Sequence, residues 1–159
     1  MKKVLYLFTS LLVFLSCSSS DKKINYNDQQ LQIFNHIENK EWLRTAYMGT
    51  ESIFFYKHYD EPNIDIVDGV ANGECLISVV TRNGNKTSQK AYYWLYIKGD
   101  KHVFRFLPIN PKESVIDGIS GTFDGPWTIA IEEDGGIRLS TQDSGYLGIG
   151  VKIFSLKKQ

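Results

Sequence analysis

The sequence predicts an all-β domain: an antiparallel up-and-down meander that curls into a barrel, preceded by one short helix. Three observations lead there. From Trp42 onward apolar and polar residues alternate with a period of two. Turn dipeptides such as Asn72-Gly73, Asn83-Gly84 and Gly99-Asp100 punctuate that alternation. Nine Tyr, nine Phe and three Trp supply side chains that suit a pleated surface better than a helix.

The helix is Asp28 to Asn39, where Leu31, Phe34 and Ile37 or Glu38 recur at helical spacing and Asn27 or Asp28 can cap the start. A segment this short holds only by packing its apolar stripe on something else. Trp42–Met48 and Ser52–Tyr59 read as the first two strands, joined at Gly49. Ile64–Ala71 leads into Asn72-Gly73 and Glu74–Arg82 into Asn83-Gly84, both pairs suited to a tight type I′ hairpin. Thr87–Lys98 leads into Gly99-Asp100, which suits a type II′ turn, and Lys101–Leu107 returns. The three hairpins make a four-stranded meander.

Pro108 and Pro111 end that run, and Asn110 to Asp124 is a loop rich in Gly, Ser and Asp. Trp127–Glu133 and Ile137–Thr141 form another hairpin. A two-residue turn would set Ile131 opposite Arg138 and mix the faces. A three-residue loop over Asp134-Gly135-Gly136 sets Ile131 opposite Leu139 and keeps the apolar sets together. The last strand, Leu147–Leu156, carries Gly148 and Gly150 on one face, a sign of a bend or a close backbone approach. Closing the sheet hides its edges.

The first seventeen residues stand apart from this body. Lys2 and Lys3, the apolar run Val4 to Leu15, and Ser16 before Cys17 have the layout of a secretory signal. The run is shorter than the roughly 20 residues a spanning helix needs. With a cysteine directly after the small residue, the segment resembles a bacterial lipoprotein signal, although Phe14 and Leu15 stand where its motif prefers Leu and a small residue. The resemblance implies that Cys17 is lipidated and becomes the first mature residue, with acyl chains holding the protein to a membrane. Residues 1–16 are then the signal, 17–27 a lipidated tether in which Ser18-Ser19-Ser20 follow Cys17, and 28–159 one β-barrel domain.

The mature chain carries 16 basic and 18 acidic residues, a balance that gives nucleic-acid binding no support. Cys75, in an apolar strand pattern, reads as a small buried hydrophobe rather than a reactive thiol. His36, His58 and His102 are widely spaced, with no nucleophile motif nearby. His58-Tyr59-Asp60-Glu61 reads as a solvated strand end rather than a ligand set, and Asp117-Gly118 and Asp124-Gly125 as turn chemistry. No phosphate-cradling glycine loop or zinc spacing occurs, so no cofactor, metal or catalytic residue is expected.

One surface is singled out by register. A two-residue turn at Gly99-Asp100 pairs Lys98 with Lys101, so Tyr93, Leu95, Ile97, His102, Phe104 and Phe106 share one face. That set is the expected core. Tyr92, Trp94, Tyr96 and Arg105 fall on the other, with Trp94 opposite Arg105 at cation–π distance. Aromatics with Arg are the composition of binding hot spots. The competing reading buries this face under the helix stripe.

The lipidated cysteine, short helix and Trp-bearing first strand make the body resemble the small lipocalin-like lipoproteins of Gram-negative envelopes, with Lys40-Glu41-Trp42 where lipocalins carry Gly-x-Trp. That resemblance implies a non-enzymatic cup for a small apolar ligand, on a protein anchored in the envelope through Cys17, at the outer membrane facing the periplasm. The alternative is a protein-interaction lipoprotein, of inhibitor or immunity type, that binds through Tyr92, Trp94, Tyr96 and Arg105.

Overall fold

The computed structural model describes residues 25–47, 49–66, 69–110, 112–118, 121–123, 125–141 and 150–158. Cys17 and the expected signal and lipidation site lie outside these residues. Helix α1 (Asp28–Ile37) precedes twelve strands: β1 (Lys40–Ala46), β2 (Gly49–Phe55), β3 (Asn63–Ile66), β4 (Gly69–Ala71), β5 (Gly73–Thr81), β6 (Lys86–Lys98), β7 (Lys101–Pro108), β8 (Asp117–Gly118), β9 (Gly121–Thr122), β10 (Pro126–Ile131), β11 (Ile137–Thr141) and β12 (Val151–Leu156). Eight of them close into one antiparallel barrel in the order β1-β2-β5-β6-β7-β10-β11-β12, with β12 returning to β1. Each barrel strand pairs with the next barrel strand along the chain. This is the up-and-down barrel that the periodicity predicts, and it is consistent with the lipocalin-like architecture that the resemblance implies.

The period-two pattern assigns the inward rows. Trp42, Ile53, Phe55, Ile77, Tyr93, Leu95, Phe104, Leu139 and Phe154 all point inward, and none is more than 1% exposed. At that exposure no water-sized space lies beside them. Their rings pack on one another: Tyr93 stacks on Phe104 and meets Phe55 edge-on, each at 5.5 Å between centroids. At these positions the lumen is filled by their own side chains. Burying a Phe or Leu stabilises by about 1.5–3 kcal/mol.

Both ends of this lumen receive further side chains. At one end lies α1, started by a capping box in which Asn27 accepts from the Gln30 N–H and Gln30 accepts from the Asn27 N–H. Its Ile33, Phe34 and Ile37 are buried, while Leu31 is half-buried and packs on the core. The helix stops at Ile37 rather than Asn39, because Asn39 takes a left-handed φ of 53° and donates to the Phe55 carbonyl at 2.8 Å. The opposite end is lined by the β7–β10 connection. This loop is not only turn chemistry: it carries the small hairpin β8–β9 and buries Val115 and Phe123 in the core.

Four local expectations are corrected. Ile64–Ala71 is not a barrel strand; it forms the separate hairpin β3–β4, and β2 pairs directly with β5. Asn72-Gly73 is no hairpin turn. Asn72 runs beside β6, donating to the Tyr93 carbonyl at 2.8 Å and accepting from the Leu95 N–H at 2.6 Å. Gly73 is required instead by close approach, since a Cβ there would lie 2.6 Å from Tyr93 Oη. Asn83-Gly84 belongs to a three-residue loop closed by the Thr81–Asn85 bond at 2.9 Å, with only Gly84 left-handed at φ 81°, whereas type I′ needs two such residues.

The fourth correction is one of register. The β10–β11 loop has three residues and a left-handed glycine, but it spans Glu133 to Gly135, and Ile131 faces Ile137. Asp134 Oδ1 accepts the Gly136 N–H at 2.9 Å, which places the left-handed turn at Gly135 and returns Gly136 to the ladder. Face parity survives because the shift in pairing is an even number of residues. On the last strand, β12 begins at Val151; Leu147 and Gly148 lie outside the described residues. Gly150 does mark a close approach, 2.8 Å from a Cβ position to Thr141 Oγ1.

Candidate interaction face

The β6–β7 turn brings the predicted surface together. Lys98 pairs with Lys101, and the ladder then sets Tyr96 opposite Val103, Trp94 opposite Arg105 and Tyr92 opposite Leu107. Gly99 is left-handed at φ 66° while Asp100 is not, as a type II′ turn requires. The predicted core face is inward, with Ile97 at its exposed end. Tyr92, Trp94, Tyr96 and Arg105 face outward and are each half-buried. The helix does not cover them: Phe34 of α1 packs on inward-facing Tyr93, 6.1 Å between ring centroids.

This outward face is a ridge rather than a set of separate rings. Trp94 and Tyr96 lean together with centroids 4.4 Å apart. Val103 and Leu107 also point outward yet are buried, flanked across the ladder by Tyr96 and Tyr92. The expected Trp94–Arg105 cation–π contact is not formed among the described residues. Trp94 packs its ring on its i+2 neighbour, and Arg105 stands opposite it in register only.

The α1 end of the barrel holds a polar cluster that sequence reading missed. The Glu38 carboxylate accepts from the His58 backbone N–H at 2.8 Å and bonds the same residue's Nδ1. The His58 ring stacks on Phe34 at 4.9 Å and receives the edge of Tyr26 at 5.3 Å. Tyr59 donates its hydroxyl to Glu74 at 3.2 Å. Burial, and then the Glu74 charge, push the Tyr59 pKa up to about 12. Burial also pushes Tyr26 and Tyr93 up. His58 is thus no solvated strand end; it latches the β2–β3 connection onto the end of α1. Its partner lies twenty positions upstream, and no local spacing signals it.

Within the lumen, Glu51 Oε2 accepts from Lys152 Nζ and from Arg44, each at 2.9 Å. Lys152 also lies 4.4 Å from the Phe123 ring centroid. Burial pushes its pKa below the ordinary lysine value, against the pull of Glu51. The signal was present in the sequence: Glu51 shares inward parity with Ile53 and Phe55, and Lys152 with Phe154. Cys75 is buried, and burial pushes its thiol pKa up, so it is a packing residue. Among the described residues no cluster of three or more His, Cys, Asp or Glu is placed to hold a metal ion.

One groove opens between α1 and the barrel wall. It has a volume of about 220 Å³ and is lined by Gln29, Gln32 and Ile33 of α1, His102 of β7 and Ile129 to Ile131 of β10. That is less than the roughly 300 Å³ at which ligand pockets begin. Comparison of the chain with protein-family models, curated proteins and solved structures returned no match.

Proposed function

We propose that this chain is a non-enzymatic binding module of the cell envelope, anchored through acyl chains on Cys17 at the outer membrane and facing the periplasm, that engages a protein partner. The outer face of β6 and β7 is the binding surface, with Tyr92, Trp94 and Tyr96 as anchors and Arg105 beside them. One observation carries this reading: three large aromatics sit half-exposed on the outer wall, while the lumen behind them is occupied by the barrel's own side chains. Partly exposed Trp, Tyr and Arg over a packed support are what interface hot spots use.

The test is a photocrosslinking amino acid placed at Tyr96 in living cells, with exposed Thr45 of β1, on the opposite wall, as the control site. A defined adduct from position 96 that is absent from position 45, and lost with Trp94→Ala, supports the reading. Identical adduct patterns from the two sites overturn it. The anchor has its own test: labelled fatty acid should enter the wild type and not Cys17→Ser.

The second reading is a small apolar ligand. The observation that favours it is the groove floored by Ile33, Ile129 and Ile131. Its size suits part of an acyl chain rather than a whole one. Native mass spectrometry of the purified protein separates the two, since a co-purifying lipid lost on Ile129→Trp would move the site to the groove.

A further inference from the structure

Resting on the reading of the β6–β7 face as a partner surface, we propose that the partner presents an acidic polypeptide segment, laid along β6 and held by cations that bracket the aromatic ridge. Outward positions of β6 run Lys90, Tyr92, Trp94, Tyr96, Lys98 at steps of two. Strand β7 adds Lys101 opposite Lys98 and Arg105 opposite Trp94. A rise of about 3.3 Å per residue puts Lys90 and Lys98 roughly 26 Å apart, with Arg105 beside the midpoint. The pattern is a cation at each end of the ridge and one at its waist.

Among the described residues these cations are not neutralised within the fold. Among the described residues none of the four forms an ion pair; Lys90 rests 5.8 Å from the Tyr56 ring centroid instead. No outward position of β6 or β7 holds a carboxylate. The nearest acids in the register are Asp100, in the turn, and Glu74 of β5, which faces Tyr92 and accepts from Tyr59. Lys98 directly opposite Lys101 is an unfavourable like-charge pair. On a chain with equal numbers of acidic and basic residues, this is a local asymmetry and not a reflection of composition. A carboxylate-bearing partner relieves the Lys98–Lys101 repulsion and offers Arg105 a bidentate bond.

Shape selects a polypeptide over an anionic membrane. The cations follow one strand pair about 5 Å wide on a curved wall. The β10 side of that line is uncharged, with Pro126, Thr128 and Ala130 outward. The β5 side carries outward Glu74. A narrow line fits a chain, and a flat sheet of headgroups cannot follow it.

The experiment uses the full chain in detergent and fluorescence anisotropy with three probes: a labelled peptide of about 16 residues rich in Glu, Asp and Leu; its Gln/Asn counterpart; and vesicles containing phosphatidylglycerol. At low salt the acidic peptide is expected to bind about tenfold or more tightly than the neutral one. Binding should weaken severalfold as ionic strength rises from about 0.05 to 0.3 M and the Debye length shrinks. Arg105→Glu and Lys98→Glu, at outward positions of the ladder, are expected to lower affinity about tenfold and severalfold. Equal binding of the two peptides, no effect of Arg105→Glu in protein of unchanged thermal stability, or vesicle binding by Cys17→Ser that depends on these cations each overturns the proposal. If the crosslink from position 96 survives both charge reversals and is lost only with Trp94→Ala, the partner surface stands and its acidic occupant falls. If it survives Trp94→Ala as well, both fall.

Discussion

Replacing Gly73 by Ala discriminates two explanations of the same glycine. If Asn72-Gly73 were a type I′ turn, the penalty would be backbone strain at a positive φ and would not depend on distant side chains. The structure gives Gly73 no positive φ. It places a Cβ there 2.6 Å from Tyr93 Oη, 2.7 Å from Cζ and 2.8 Å from Cε1. Ordinary carbon contacts lie at about 3.5–4.0 Å, so the ring must retreat by most of an ångström. It has nowhere to go, being held between Phe55, Phe104 and Phe34 and tied by its hydroxyl to the Tyr56 carbonyl at 3.3 Å. Overpacking of this kind costs about 1–3 kcal/mol. For a domain of this size that lowers Tm by roughly 3–12 °C. Urea unfolding followed by Trp fluorescence and circular dichroism should show a lower midpoint at unchanged slope. Tyr93→Leu removes all three clashing atoms, so Gly73→Ala should cost at least about 1 kcal/mol less in that background. A neutral Gly73→Ala, or strict additivity in the double variant, would refute the close-approach explanation.

Three further outcomes follow from buried polar groups. Asn72→Ala removes the acceptor of the Leu95 N–H, and an unsatisfied buried donor costs about 1–3 kcal/mol; chemical denaturation measures it, and a change under about 0.5 kcal/mol rejects the role assigned to Asn72. Glu51→Gln leaves Lys152, 1% exposed, beside a neutral group, and the expected loss is about 3–5 kcal/mol by the same assay, with wild-type stability as the contrary result. Tyr26, Tyr59 and Tyr93 all have folded-state pKa values raised above 10.0, so the folded state keeps protons that the unfolded chain releases. Their contribution is whole below pH 10 and is lost as pH rises through the folded values. Stability should therefore decline above about pH 10, and Tyr93→Phe should flatten that decline; an identical slope in the variant excludes Tyr93 as a source.

The barrel and its candidate face were legible because both depend on parity, which survives small errors in turn length. The β6–β7 pairing was correct residue by residue, since Gly99-Asp100 closes its hairpin with no competing contact. Asn72-Gly73 misled because a dipeptide reports only local preference, whereas its conformation here is decided by Tyr93, twenty positions downstream. The Glu38–His58 latch was invisible for the same reason, its members being 20 positions apart; parity marks Glu51 and Lys152 each as inward, but nothing local pairs them across 101 positions. Whether Trp94 faced solvent or the helix could not be read from the strand, because that choice belongs to where α1 docks.

Closure of the sheet narrows how such a domain can recognise anything. With β12 paired to β1 the barrel sheet is closed, so a partner cannot add a strand to it as it would to an open sheet. With Trp42, Tyr93, Phe104 and Phe154 filling the lumen, an apolar guest would have to displace groups whose burial holds the fold together. On the proposed reading, recognition falls to side chains on the outer wall, where affinity must come from a few well-supported anchors. The β6–β7 face meets that condition. Trp94 and Tyr96 brace each other, Val103 and Leu107 are buried beside the ridge on β7, and among the described residues Arg105, opposite Trp94, forms no ion pair. Side chains held this way lose little freedom on binding, which lowers the entropic cost of forming an interface.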